Sequence, residues 1–355
     1  MTVRHGCADV AGKYPDRSGT QDFLTYTANL PTTVGAGFNS IKVYLSPNYK
    51  GDLDAAKTDY PNQTWSGAHA DLTSLAGDTA FNTVFSAYSR VFINTWTFAN
   101  GINNPWVNNI STTQLANEYT EIYNLVVYLL TTYSGKEFVI QNWEGSWELL
   151  GAFDPHAVID PYRVGRMVAF LNARQRAVQD ARAATPSTST VYHAVEINRC
   201  LDDYGFRLHR DVLPKVNCDA ISWSAYEAIN TWGSGQADAE ANIASLMTKG
   251  FNRVRAALQA YPGAPFTKRF YIGEFGWPEN DAGFISLGLD VGALIQKAID
   301  TANTLGVTDM IYWQICDNEE NSPGVPRGYN IYTRNGSSTT VGALSGAGTK
   351  YAAIL

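Results

Sequence analysis

Residues 137–148 read EFVIQNWEGSWE, and they lie between two longer stretches, 114–133 (QLANEYTEIYNLVVYLLTTY) and 162–183 (YRVGRMVAFLNARQRAVQDARA). The central run is short and apolar, as a strand is. The flanking stretches place apolar residues at three- and four-residue intervals and have the length of crossover helices. A strand between two such helices is one βα unit of a parallel sheet. The same rhythm recurs along the chain. Strand-like runs occur at 40–45 (SIKVYL), 89–94 (SRVFIN), 191–197 (VYHAVEI), 220–224 (AISWS), 270–273 (FYIG) and 310–314 (MIYWQ), with further helical patterns at 238–260 and 291–304. With 137–142 this makes seven strands, and the segment 2–10 is the candidate eighth that closes a (β/α)8 barrel. We therefore expect one α/β domain over 1–355 with a small C-terminal extension at about 317–355. The Asp-, Thr-, Gly- and Tyr-rich residues between 45 and 89 read as an elaborated loop after the second strand. Residues 328–333, followed by Arg334-Asn335-Gly336, read as a small hairpin.

Composition narrows the function classes. Of 355 residues 45% are hydrophobic, enough for a large core, and only 17% are charged. Aromatic residues reach 12%, a surplus that belongs in the core or along a cleft where sugar rings can stack. The net charge of -7 and the lack of a Lys/Arg cluster argue against nucleic acid and anionic membranes as partners. No apolar h-region opens the chain and no run of 18 apolar residues occurs, so neither a signal peptide nor a transmembrane helix is expected; secreted and cytoplasmic locations both stay open. Cys7, Cys200, Cys218 and Cys316 are too few and too scattered for a disulfide framework and are read as buried thiols. The five histidines form no metal-binding pattern, and phosphate- and dinucleotide-binding glycine motifs are missing. No metal and no cofactor are expected, and the oligomeric state is open.

In such a barrel chemistry sits at the C-terminal ends of the strands. Two of these ends carry a carboxylate among aromatics: Asn142-Trp143-Glu144-Gly145-Ser146-Trp147-Glu148, and Gly273-Glu274-Phe275-Gly276-Trp277-Pro278. A pair of carboxyl groups is what glycosidic cleavage requires, one to protonate the leaving oxygen and one to attack the anomeric carbon or activate water.

With 40–45 counted as the second strand, 137–142 is the fourth, 270–273 the seventh and 310–314 the eighth. In this register the chain, from about 37 to 336, resembles clan A of the glycoside hydrolases as a clan, with no single family singled out. The resemblance implies a retaining glycosidase with Glu144 as acid/base and Glu274 as nucleophile, acting on an oligosaccharide or glycoside. It implies that Trp313 floors the subsite of the cleaved sugar, that Tyr226 hydrogen-bonds the nucleophile, and that Asn142 bonds the hydroxyl next to the reacting carbon. The clan usually has Asn directly before the acid/base; here Trp143 intervenes. Strand alternation still sends Asn142 and Glu144 to one side if the strand continues, and Glu148 is the alternative acid.

Other residues are assigned by position. Trp277, like Trp313, flanks a strand end and is expected in the cleft, and Trp147 is expected among the substrate contacts. Lys42 and Tyr44 share a strand, with Lys42 expected near the nucleophile. Glu196, in an otherwise apolar strand, either lines the site or pairs with Lys42 or Arg199. The run 317–320 (DNEE) is either a sugar-binding rim or a solvated loop. A carbohydrate-binding or structural barrel without turnover is the alternative reading, and a transglycosylase would use the same residues.

Overall fold

The computed structural model describes residues 2–10, 22–33, 38–50, 58–60, 63–102, 105–260, 269–315, 317, 319–322, 325–334 and 341–355. Eight strands, β1 (Arg4–Ala8), β2 (Ser40–Leu45), β3 (Arg90–Thr95), β4 (Glu137–Gln141), β5 (Thr190–Ile197), β6 (Ala220–Ser224), β7 (Arg269–Phe275) and β8 (Asp309–Tyr312), form a closed barrel in chain order. The weak N-terminal segment does supply the eighth strand, pairing in parallel with both β2 and β8. Its seam is covered from outside by the terminal helix Gly346–Ile354, whose buried Tyr351 ring packs against His5, Phe38 and Tyr312.

Alternation along each strand divides the side chains between two cores. Ala8, Phe92, Val139, Ala194, Ala220, Tyr271 and Ile311 meet inside the barrel. The outward set, with Ile41, Val91, Ile140, Val195 and Ile221, packs against the helices. Below the inner cluster the barrel floor is ionic: Asp309 pairs with Arg4 and Arg90 at 2.8 Å each, and Arg269 pairs with Glu137 at 2.8 Å. The polar residues one alternation above it, at the C-terminal mouth, make the site.

The crossover helices begin where the sequence offers caps. Ser111 and Gln114 form a capping box for Thr112–Thr132, and Asp290 caps Val291–Leu305. The helices Tyr162–Ala184 and Gln236–Gln259 complete the expected set. The 45–89 segment differs from its reading as a loop, because it contains two helices, Leu72–Ala76 and Thr79–Ala87. They are too short to show a clear helical period, and the side chains of Asp71 and Asp78 start them. Past the barrel, β9 (Glu320–Ser322) pairs with β10 (Val325–Pro326) and β11 (Tyr332–Arg334) with β12 (Val341–Leu344), both antiparallel. The second pair is the expected hairpin; its turn at Asn335-Gly336 lies outside the described residues. Cys7, Cys200 and Cys218 are buried and in no disulfide, and Cys316 lies outside the described residues.

Candidate active site

Glu274 enters the barrel through an irregularity in β7. Opposite β6 the register runs Ser222 to Tyr271 and Trp223 to Ile272, then skips one residue so that Ser224 faces Glu274. The extra residue of this bulge is Gly273. A Cβ there would stand 1.9 Å from Ser222 Oγ and 2.4 Å from Glu196 Oε2, so only glycine fits. The bulge turns the Glu274 side chain inward, and the Ala225 amide donates to the Glu274 carbonyl at 2.9 Å.

Glu144 arrives by a different device. β4 ends at Gln141, whose side chain points inward, so Asn142 points out and the expected shared face of Asn142 and Glu144 does not form. The Asn142 amide is consumed outside the barrel, donating to Glu148 Oε2 at 3.3 Å and accepting from the Glu196 amide at 3.0 Å. The chain then reverses at Glu144 itself, which takes a left-handed backbone with φ 26. That conformation absorbs the inserted Trp143 and returns the Glu144 carboxyl to the mouth. It is held by Glu196, whose Oε1 accepts the Glu144 amide at 3.1 Å. Gly145 permits the close approach, since a Cβ there would lie 2.6 Å from the Glu196 carbonyl.

The two carboxyl groups share one hydroxyl. Ser224 Oγ lies 2.8 Å from Glu144 Oε1 and 3.3 Å from Glu274 Oε2, so those oxygens are at most the sum of these distances, 6.1 Å, apart. Beneath them Lys42, fully buried, donates to Glu274 Oε1 at 2.7 Å, Glu196 Oε2 at 3.1 Å and the Gly273 carbonyl at 3.2 Å. Glu196 is fully buried as well and also accepts from Gln141 at 2.7 Å and Ser222 at 2.6 Å. Of the alternatives for Glu196, the structure selects pairing with Lys42; Arg199 instead bonds Asp202. With every bond directed into the protein, Glu196 is a hub under the site and not part of its lining.

The electrostatics separate the two carboxyls. Burial, then the nearby Glu274 charge, raise the Glu144 carboxyl well above the usual range. Burial also raises Glu274, to about 7, against the opposing pull of Lys42. Burial by itself would lower the Lys42 ammonium, but Glu196 and Glu274 together raise it, so it stays charged. Glu144 thus holds its proton more tightly than Glu274, whose ionised form the Lys42 ammonium favours.

Glu148 lies elsewhere. It is buried behind Asn142, on the helix side, lining a small cavity with Thr97, Asn100, Glu118 and Arg174. Burial pushes its carboxyl up to about 8 despite Arg174. Such a group adds stability below its unfolded value near 4.5, and that stability drains away as pH rises through about 8. Glu148→Gln is therefore expected to raise Tm over wild type at pH 9 while leaving it nearly unchanged at pH 4.5. Equal Tm differences at both pH values would contradict this account. A loss of turnover matching that of Glu144→Gln would instead make Glu148 the acid.

The aromatic expectations divide. Trp313 is at the mouth, in the inner cluster with Tyr329, and its indole donates to Glu319 Oε1 at 2.9 Å. Glu319 is in turn bonded by Arg327, and Asp317 accepts the Glu319 and Gly328 amides. The described part of the 317–320 run thus supports Trp313; Asn318 lies outside the described residues. Tyr44 and Tyr226 are half-buried against the same cluster. The Tyr226 hydroxyl, expected on Glu274, is buried and has no hydrogen-bond partner among the described residues; Lys42 and Ser224 hold the Glu274 carboxyl instead. Trp277 is fully buried in the outer core, donating to the Ile229 carbonyl at 3.2 Å, and does not reach the cleft. Its position two residues past β7 put it on the outward side. Trp147 is half-buried on the rim.

Sequence reasoning missed Ser224, Ser222 and Gln141. Only inward parity on their strands marks them, and serine and glutamine are otherwise silent. Asn94 was missed too: it is fully buried at the end of β3, and both its amide atoms lack partners among the described residues.

At the level of sequence no family model and no curated protein matches the chain. Solved structures do. A GH5-4 broad-specificity endoglucanase from Clostridium acetobutylicum aligns with TM-score 0.53 and 15% identity over 99% of this chain and 96% of its own. A family 5 xyloglucanase from Paenibacillus pabuli aligns with TM-score 0.55 and 14% identity over 99% and 98%. A β-glucosidase from Exiguobacterium marinum aligns with TM-score 0.56 and 10% identity over 99% and 97%. The fold is that of glycoside hydrolases. Within this barrel Glu144 follows the fourth strand and Glu274 lies on the seventh.

Proposed function

We propose that the chain is a retaining glycoside hydrolase. The observation that carries this reading is the Ser224 bridge: one hydroxyl reaches an oxygen of each carboxyl, which keeps those two oxygens within 6.1 Å and supports the short spacing of a retaining pair, about 5–5.5 Å, over the about 6.5–9.5 Å of an inverting one. The raised carboxyl of Glu144 and the ion pair of Glu274 with Lys42 support the division of roles. So do the activities named for the structures of like fold: endoglucanase, xyloglucanase and β-glucosidase.

In the first step the Glu274 carboxylate attacks the anomeric carbon while Glu144 gives its proton to the departing oxygen, leaving a glycosyl ester on Glu274. In the second, Glu144 takes a proton from water, the oxygen of that water attacks the same carbon, and the ester bond breaks to free Glu274. Ser224 is placed to donate to whichever carboxylate is charged. Trp143, which stands between Asn142 and Glu144, is accommodated by the left-handed turn at Glu144.

The test is the anomeric configuration of the first product, followed by proton NMR on a panel of polysaccharides and aryl glycosides. Retention is expected. Initial release of the opposite anomer would replace the mechanism with inversion, and binding without turnover on every glycoside would return the barrel to a carbohydrate-binding role.

A further inference from the structure

The rim that follows Glu144 exposes more aromatic surface than folding requires. Phe153 is 75% exposed, and its ring meets the half-buried Trp143 at 6.2 Å and Trp147 at 6.0 Å, edge-on in both cases. The segment bearing it is pinned. Gly151 ends the short helix Gly145–Leu150 with φ 68, Arg163 donates to the Leu149 and Leu150 carbonyls at 3.2 and 2.7 Å, and the buried Arg207 donates to the Pro155 carbonyl at 2.8 Å. An exposed phenylalanine backed by two half-buried tryptophans, on a fixed rim beside the proposed acid/base, is the kind of surface that marks a binding site.

We propose that Trp143, Phe153 and Trp147 form a stacking platform for sugar rings on the leaving-group side of the scissile bond. The inference rests on the reading of Glu144 as general acid. The proton donor must touch the departing oxygen, so residues contiguous with it border the departing part of the substrate. Tyr44 and Trp313 lie at the ends of other strands, β2 and β8, in the inner cluster. Pyranose rings present C–H faces that pack on aromatic rings. The platform suits neutral sugars: the guanidinium of Arg199 lies over Trp147 at 5.5 Å, but it is already bonded by Asp202 and paired with Glu227 at 3.7 Å, so it offers no unpaired charge to a uronic acid.

The experiment compares kcat/KM on cellohexaose, laminarihexaose and mannohexaose with kcat/KM on the matching glycosyl fluorides. Fluoride is too small to reach the platform, so it reports the other side of the site. In Phe153→Ser and in Trp147→Ala the ratio of hexasaccharide to fluoride kcat/KM is expected to fall roughly three- to tenfold, the scale of one lost aromatic contact. An unchanged ratio in variants that still hydrolyse the fluoride overturns the platform and leaves the glycosidase reading standing. A wild type that cleaves neither fluorides nor hexasaccharides removes that reading and the platform with it. Sedimentation of wild type and Phe153→Ser supplies the remaining arm: a dimer lost in the variant, with an unchanged ratio, assigns the aromatic patch to a second copy of the chain and overturns the proposal.

Discussion

Glu274→Ala is expected to lower kcat/KM on an activated aryl glycoside by on the order of 10⁴-fold or more, the scale on which removal of a covalent nucleophile is felt. Azide should restore part of the rate, giving a glycosyl azide of inverted configuration. The reason lies in what remains after truncation. Lys42 keeps its place through Glu196 at 3.1 Å, so a buried ammonium faces the space the carboxylate vacated. A small anion can occupy that space and attack the anomeric carbon directly. The resulting glycosyl azide has no route back to an ester, and inversion is recorded in the product. Circular dichroism would confirm the fold, since the charge lost from the Lys42 cluster is one of two carboxylates and the other stays paired. A variant that is folded, nearly inactive and indifferent to azide, or one that keeps a tenth of its activity, would remove Glu274 from the nucleophile's role.

Much of this architecture was legible because it depends on periodicity. The seven runs from 40–45 to 310–314 coincide with β2 to β8 within one or two residues at most ends, and the weak segment near 2–10 became β1 because a seven-stranded sheet would leave two open edges. Glu144 and Glu274 were legible as strand-end carboxylates. What could not be read was the direction of side chains where the strand period breaks. The bulge at Gly273 and the left-handed turn at Glu144 each change parity, and each does so because of contacts distant in sequence: Ser222 and Glu196 against Gly273, and Glu196 again under the Glu144 amide. Asn142 and Trp277 were misplaced for the same reason. Asn142 was given an inward position by continuing the strand alternation to Glu144, and Trp277 a place in the cleft because it flanks a strand end, whereas the pleat turns both out.

Glu196 connects these two irregularities. One carboxylate accepts from β2, β4 and β6 and from the backbone of the proposed acid/base. Its placement explains how a chain with a residue inserted before Glu144 can still present that carboxyl beside Glu274. The arrangement carries a cost, because the buried carboxyls of Glu196 and Glu274 share one buried cation, with the Glu144 carboxyl close by.

That balance predicts the behaviour of Lys42→Met. The thioether fills much of the lysine stem's volume but removes the only ammonium in contact with Glu274 and Glu196 among the described residues, both of which are almost completely buried. Breaking a buried ion pair by removing one partner costs about 3–5 kcal/mol, and the loss should depend on pH. With Lys42 in place the folded-state carboxyl of Glu274 already titrates at about 7, above its ordinary 4.5; without the cation it must rise further. A carboxyl raised in the folded state contributes stability below its unfolded value and loses it as pH climbs toward and through the folded one. The deficit of Lys42→Met relative to wild type, measured by urea denaturation, should therefore be small at pH 4.5 and approach the full ~3–5 kcal/mol at pH 8 to 9. The acid limb of the kcat/KM profile, set by ionisation of Glu274, should move to higher pH in the same variant, because the nucleophile holds its proton longer. A deficit independent of pH would mean that Lys42 acts by filling space, and an unmoved acid limb would mean that Glu274 is not the group whose ionisation starts the reaction.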